Sequence, residues 1–153
     1  MHLTEILDAS MIWPSLKATS KEEVIRELAT NIAKNLKSVE DAQISKILFE
    51  REQLGSTGIQ DGIAIPHGKI PGLERILIGC GRSLEGINFD AHDAKPTHLF
   101  FVLLAPEFAA GQHLKALSRL SRLLKDARFR ERLLGAPNAE EMYKIITIED
   151  EKI

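Results

Sequence analysis

Residues 55–69, GSTGIQDGIAIPHGK, place four glycines and one proline around a single histidine, His67. The apolar part of this stretch, GIAI, is short and β-branched, which predicts a strand that ends just before His67. A side chain just past a strand end can point into a cleft. Gly62 and Gly68 are expected to shape the backbone that presents His67, and Gly68 to leave room for a bulky group or partner protein.

The sequence on either side predicts alternating helices and strands. Ser20 and Glu23 form a capping box before a helix whose apolar residues recur every four positions up to Leu36. Ser38 is expected to cap a second helix over residues 39–54. A third helix is expected over residues 112–126, with shorter ones at ARFRERLLG and AEEMYKII. The remaining predicted strands are MIWPSL, at a sheet edge because of its proline, RILIGCG and HLFFVLLA.

This order predicts one α/β domain over residues 1–153, in which a central mixed β-sheet lies between two layers of helices. The composition, 44% hydrophobic and 27% charged, is typical of a globular protein, and the net charge of -2 argues against nucleic acid as a partner. The N-terminus lacks the pattern of a signal peptide, and no apolar run is long enough to span a bilayer. With Cys80 as the only cysteine, the sequence favours a cytoplasmic protein that is not membrane-embedded.

The predicted second helix has a charged residue within its apolar stripe. At about 100° per residue, Arg51 falls among Ile44, Ile47, Leu48 and Leu54. One interpretation is a snorkelling arginine whose stem packs and whose head reaches water. The other is an arginine at the edge of a pocket, held there for an anion.

The predicted third helix has a histidine, His113, in its first turn. Its stripe continues through Leu117, Leu120 and Leu124. The opposite face, which is expected to be solvated, carries Lys115, Arg119, Arg122 and Asp126. His113 is either a hydrogen-bonded core residue or a functional one. The second interpretation rests on the first turn of the helix, where free N–H groups and the dipole attract anions and keep imidazole neutral.

Four kinds of chemistry compete for His67. No other histidine or cysteine has metal-ligand spacing with it. A nucleotide-binding P-loop would need Ser or Thr where Ile70 stands, and a hydrolase would need a nucleophile motif that is absent. The remaining role is His67 as a nucleophile that accepts a phosphoryl group, for which Arg51 and His113 are donors of the required kind. No metal and no cofactor is predicted.

The stretch GSTGIQDGIAIPHGK, with FEREQL before it and HLFFVLLAP and HLKALSRLSRLLKD after it, resembles enzyme IIA domains of the bacterial phosphoenolpyruvate-dependent phosphotransferase system. The branch is the fructose, mannitol and nitrogen-regulatory one, and the resemblance covers nearly the whole chain. It implies that His67 carries the phosphoryl group and that Arg51 and His113 are active-site residues. It also implies that Asp61 corresponds to the acidic residue that some members have six positions before the phosphohistidine. Many relatives have glycine at the position of Gln60 or Asp61, which puts the loop conformation and any role of Asp61 in doubt.

The resemblance also implies partners and an activity. The chain would be a phosphotransferase component with a phosphohistidine intermediate, receiving its phosphoryl group from an HPr-like phosphocarrier. GSTGI and LKALSRLSRLLKD are more similar to nitrogen-regulatory members, and the chain ends without a fused IIB, IIC or HPr-like domain, so the acceptor would be a regulatory target protein. Two alternatives remain: a sugar-specific enzyme IIA that passes the group to a IIB cysteine, and a partner-binding module without phosphotransfer.

Overall fold

The predicted three-layer arrangement around a mixed sheet is confirmed by the computed structural model, which describes all residues 1–153. A short 3-10 helix at Leu3–Glu5 precedes the main elements. The strands are β1 (Leu7–Trp13), β2 (Ile63–Ala64), β3 (His67–Lys69), β4 (Leu77–Ile87) and β5 (Thr97–Ala105). The helices are α1 (Lys21–Ala33), α2 (Asp41–Gln53), α3 (Ala110–Leu124), α4 (Ala127–Gly135) and α5 (Ala139–Glu151). None of these helices is both long and apolar enough to cross a bilayer.

The sheet runs in the order β1-β4-β5-β2, and β3 also pairs with β5. Only the pairing of β4 with β5 is antiparallel. The apolar run of β5 follows from this position, since a central strand is covered on both faces. β1 lies at an edge, as its sequence predicted, and ends just before Pro14.

Alternation along β4 shows that helices cover both faces of the sheet. A Cβ added to Gly81 would lie 3.0 Å from Leu28 of α1. The next residue, Arg82, points to the opposite face. There its Nη1 donates to the carbonyls of Leu133 and Ala136 at the C-terminal end of α4, at 2.8 and 2.7 Å. The α1–α2 layer and the layer with α3, α4 and α5 therefore lie on opposite sides.

Several predicted helix limits are corrected. Ser20 caps α1 as expected, accepting a bond from the Glu23 N–H, but the helix ends at Ala33, before Leu36. Ser38 does not cap α2, because the helix begins at Asp41 and Glu40 occupies the N-cap position. The Ser38 hydroxyl donates to the Gly72 carbonyl. α3 lies two residues earlier than expected, at Ala110–Leu124. Leu54, placed in the apolar stripe by its spacing, follows the end of α2 and is 84% exposed.

The face of α3 expected to be solvated is also only partly so. Arg119 is half-buried, and its Nε donates to the buried carboxylate of Asp150 at 2.6 Å. Lys115 and Arg122 of the same face are exposed, as predicted. The difference arises because α5 and the chain terminus pack beside Arg119, a contact that helical periodicity alone does not contain.

His67 lies within the sheet rather than after it, which corrects the expected strand end. Ile63 pairs with Leu99, and His67 pairs with Leu103, so β2 and β3 follow β5 in one parallel register. The ladder is interrupted at Pro66, which has no N–H to donate. Because paired residues share a face, the side chain of His67 points to the face that carries α3.

Gly68 points to the other face, where α2 packs against β3. A Cβ on Gly68 would lie 2.6 Å from Cγ2 of Ile47. This distance is well inside van der Waals contact, so the missing side chain allows α2 to approach the strand. The space expected beside Gly68 for a bulky group or partner is thus occupied by α2.

We predict that Gly68→Ala lowers the free energy of unfolding by about 1–3 kcal/mol, the usual cost of overpacking. Ile47→Ala removes the atom in conflict, so in the double variant the two losses should be less than additive. Chemical denaturation of the four proteins of this cycle measures the coupling. Fully additive losses would show that Gly68 does not determine how closely α2 packs.

Candidate active site

Arg51 is directed at His67 and not at open solvent. It lies in the last turn of α2, and its Nε donates to Nε2 of His67 at 3.2 Å. Its Nη1 donates to the carbonyl of Gly55, four residues later, at 2.9 Å. The guanidinium therefore joins the end of α2, the start of the glycine-rich loop and the imidazole. Of the two interpretations of Arg51, the pocket-edge residue agrees with this geometry.

The hydrogen bonds of His67 assign its tautomer. Nδ1 lies 2.7 Å from the carbonyl oxygen of Ile65, which can only accept, so Nδ1 carries the proton. In the neutral ring Nε2 then has a lone pair, which agrees with the donation from Arg51. The nitrogen that faces Arg51 is therefore the one with the free lone pair.

His113 is the second imidazole of the site. Its ring lies edge-on to that of His67, with centroids 5.5 Å apart and an angle of 76° between the planes. His113 is 9% exposed, and its buried Nε2 has no hydrogen-bond partner. Buried polar atoms are normally paired, so an unpaired one beside a nucleophile is available to a ligand atom. No side chain caps α3 at Ala109, which leaves the positive end of the helix free near His113.

Both imidazoles are held neutral by their surroundings. Burial is the main cause that lowers the pKa of His67, and the charge of Arg51 lowers this pKa further. The bond to the Ile65 carbonyl and the charge of Glu52 oppose the shift without cancelling it. Burial is also the main cause of the lowered pKa of His113, followed by repulsion from His67 when that ring is protonated and from the charge of Lys69. At neutral pH His67 therefore has the free lone pair that a nucleophile needs.

Glu52 was missed by the sequence analysis, although it follows Arg51 directly. Its side chain is only 5% exposed and pairs with Nζ of Lys21 at 2.9 Å. Its second oxygen accepts bonds from the backbone N–H and the hydroxyl of Thr57. A glutamate at the end of a helix is ordinarily solvated, and only the fold shows that the glycine-rich loop covers this one.

Asp61 and Gly62 form the turn before the strand. Both have left-handed backbone, with φ of 62° and 77°. The carbonyl of Gly62 accepts the backbone N–H groups of His98 and Leu99, at 2.8 and 3.0 Å. The Asp61 carboxylate lies 3.8 Å from Arg130 and forms no hydrogen bond with a site residue. Gly62 thus has a backbone conformation that favours glycine, and Asp61 occupies a position that glycine tolerates best.

These groups together can support one kind of chemistry. A neutral imidazole with a lone pair is a nucleophile, and a planar guanidinium is suited to the oxygens of a phosphoryl group. The unpaired ring nitrogen of His113 and the first turn of α3 lie beside the His67 ring. Neither nitrogen of His67 contacts a hydroxyl that the ring could activate as a base, so the arrangement suits an imidazole nucleophile with oxyanion donors around it.

Comparisons with known proteins agree with this chemistry. Residues 5–148 match the family model described as "Phosphoenolpyruvate-dependent sugar phosphotransferase system, EIIA 2". The chain is 38% identical to a nitrogen regulatory protein of Bradyrhizobium diazoefficiens, over 97% of this chain and 96% of the relative. It is 37% identical to the fructose-specific EIIABC component of Bacillus subtilis, over 98% of this chain and 24% of the relative.

A solved structure gives the same assignment. The nitrogen regulatory protein IIA-Ntr from Neisseria meningitidis superposes with a TM-score of 0.87 at 38% identity, covering 94% of this chain and 97% of that one. Sequence, fold and family model agree over almost the entire length. The chain belongs to the EIIA 2 family of the phosphoenolpyruvate-dependent sugar phosphotransferase system.

Proposed function

We propose that the chain is a phosphocarrier in which Nε2 of His67 accepts a phosphoryl group from a phosphohistidine of an HPr-like protein. The observation that carries this proposal is the opposed pair of hydrogen bonds on one ring, Nδ1–H to Ile65 and Arg51 to Nε2. In the transfer the N–P bond of the donor breaks, and its electron pair returns to the donor imidazole. A bond forms between Nε2 and phosphorus, while the proton stays on Nδ1.

The surrounding groups stabilise the transferred group. Once Nε2 is bonded to phosphorus it no longer accepts, so the N–H of Arg51 becomes free to donate to a phosphoryl oxygen. The unpaired Nε2 of His113 supplies a second donor in the neutral tautomer that carries its proton on Nε2. The burial of His113 and the half-burial of His67 limit water near the labile N–P bond. Gly62 and Gly68 contribute through the backbone, and Asp61 has no direct part.

Three versions of this proposal differ in whether the phosphoryl group is passed on and to which acceptor. We favour a role like that of the nitrogen regulatory relatives, in the cytoplasm, with a regulatory protein as the target of the two phosphorylation states. The fructose-specific relative supports the alternative, transfer to a IIB cysteine. Incubating the phosphorylated chain with a fructose-type IIB domain distinguishes them, because rapid thiol phosphorylation occurs only in the sugar-specific version. A binding module without transfer would leave the assembled His67, Arg51 and His113 without use.

We predict that incubation with phosphoenolpyruvate, enzyme I and the HPr-like carrier adds one phosphoryl group, acid-labile and base-stable, at Nε2 of His67. Mass spectrometry gives the stoichiometry, and phosphorus–proton NMR correlations give the nitrogen. His67→Ala should take up none, whereas His92→Ala, which alters an exposed loop histidine, should behave as the natural protein. Normal uptake by His67→Ala would refute the proposal.

We predict that His113→Ala slows transfer about 10²-fold, the usual loss when one preorganised donor is removed. The carrier should still bind, because His113 is buried and offers little surface to a partner. His113→Gln keeps a side-chain donor and should retain part of the rate. Rapid-quench kinetics with varied carrier concentration separates binding from transfer. Stable phosphorylation of residue 113 in a His67→Ala background would contradict the division of roles.

We predict that transfer stays at its full rate as pH falls through 6.5, the usual value for histidine, and declines only at lower pH. The lowered pKa of His67 keeps Nε2 unprotonated to that point, and protonation removes the lone pair. Arg51→Gln deletes a cation that lowers this pKa, so its titration should move to higher pH. NMR titration of His67 over about pH 5–8 separates this effect from ionisation of the carrier. A midpoint at or above 6.5 in the natural protein would contradict it.

A further inference from the structure

Glu52 is a buried charge that the proposed transfer does not use directly. Its carboxylate accepts four bonds or ion pairs: from Lys21 Nζ at 2.9 Å, from Ser56 Oγ at 3.3 Å, and from the N–H and hydroxyl of Thr57. The side chain is 5% exposed. Removing one partner of a buried charge is costly, so this arrangement holds its members firmly. The loop that begins at Gly55 is thereby attached to the end of α2 and the start of α1.

Two further hydrogen bonds connect this anchored loop with the nucleophile. The carbonyl of Thr57 accepts the N–H of Ile65 at 3.0 Å. The carbonyl of Ile65 in turn accepts Nδ1–H of His67 at 2.7 Å. Ile65 lies at the break between β2 and β3, where its N–H faces away from β5. The Thr57 bond is therefore what fixes the strand at the residue that orients His67.

The same loop also holds Arg51. The carbonyl of Gly55 accepts Nη1 of Arg51 at 2.9 Å, two residues before Thr57. If the loop moved, Arg51 would lose this partner and its direction toward Nε2 would no longer be set. One anchor at Glu52 thus supports both bonds that define the reactive state of the imidazole.

We propose that Glu52 is a positioning residue for phosphoryl acceptance, acting through Thr57 and Ile65 to hold His67 with its proton on Nδ1 and Nε2 free toward Arg51. This inference rests on the proposed function for its kinetic consequence, but the state of the His67 ring can be measured without any transfer. Glu52 does not touch the phosphoryl group. Its effect on the reaction is carried by the loop.

The test compares Glu52→Gln with Glu50→Gln, an equal loss of charge at an exposed position of the same helix. Glutamine has one acceptor oxygen, so it cannot keep both Lys21 and Thr57. For Glu52→Gln we expect the limiting transfer rate per folded molecule to fall about tenfold or more, with KM for the HPr-like carrier within about twofold. Nitrogen-15 NMR of His67 should show a mixture of tautomers instead of one. Glu50→Gln should match the natural protein in all three readouts.

A second pair of variants covers the case in which Glu52→Gln fails to fold. Thr57→Val removes only the hydroxyl bond to Glu52, whereas Thr57→Ser keeps a hydroxyl there. We expect Thr57→Val to show the tautomer mixture and slower transfer, and Thr57→Ser to restore both. Restoration by serine distinguishes the hydrogen bond from simple packing.

Opposite results overturn the inference. A single His67 tautomer in folded Glu52→Gln and Thr57→Val would show that Glu52 does not position the ring, whatever the rate. A raised KM with an unchanged limiting rate would place Glu52 in docking of the carrier. If the natural protein accepts no phosphoryl group, the proposed function fails, and the NMR comparison still decides the role of Glu52.

Discussion

The parallel pairing of residues 63–69 with β5 is the constraint on which the site depends. One register relates Ile63 to Leu99 and His67 to Leu103, so the orientation of His67 follows from the strand that precedes it. A shift of one residue would turn the imidazole toward α2, where Gly68 now leaves no space. The break at Pro66 is tolerated because this strand lies at the sheet edge. It also leaves the Ile65 carbonyl available to accept Nδ1 of His67.

Burial and charge act together on the reactive ring. Desolvation alone favours neutral imidazole but does not select a tautomer, and an arginine beside the ring lowers its pKa without deciding which nitrogen is free. The selection comes from a carbonyl on one side and a guanidinium on the other, which are compatible with a single proton position. In the proposed transfer, the same guanidinium donates to Nε2 before the reaction and to a phosphoryl oxygen after it.

Much of this organisation could be predicted from the sequence, and the exceptions have physical reasons. Arg51 and His113 were identified because a polar residue in an apolar stripe needs a partner, which periodicity reveals. Leu54 and Arg119 were placed wrongly because helix ends and contacts between distant elements are not periodic. Gly68 was interpreted as open space because the approach of α2 depends on tertiary packing. The positive φ of Asp61 explains why glycine suits that position, but this became evident only from the backbone.

Glu52 shows where such reasoning reaches its limit. Consecutive residues on a helix point about 100° apart, so Arg51 and Glu52 at the end of α2 address different parts of the loop that follows. Arg51 binds the Gly55 carbonyl, and Glu52 binds the N–H of Thr57, so the chain is held by a donor and then by an acceptor. The positive side chain of Arg51 thus meets a backbone carbonyl, and the negative side chain of Glu52 meets a backbone N–H. Arg51 and Glu52 therefore hold the loop together, and Arg51 also contacts His67. Helical periodicity identifies Arg51 as unusual, whereas no pattern in the sequence marks Glu52.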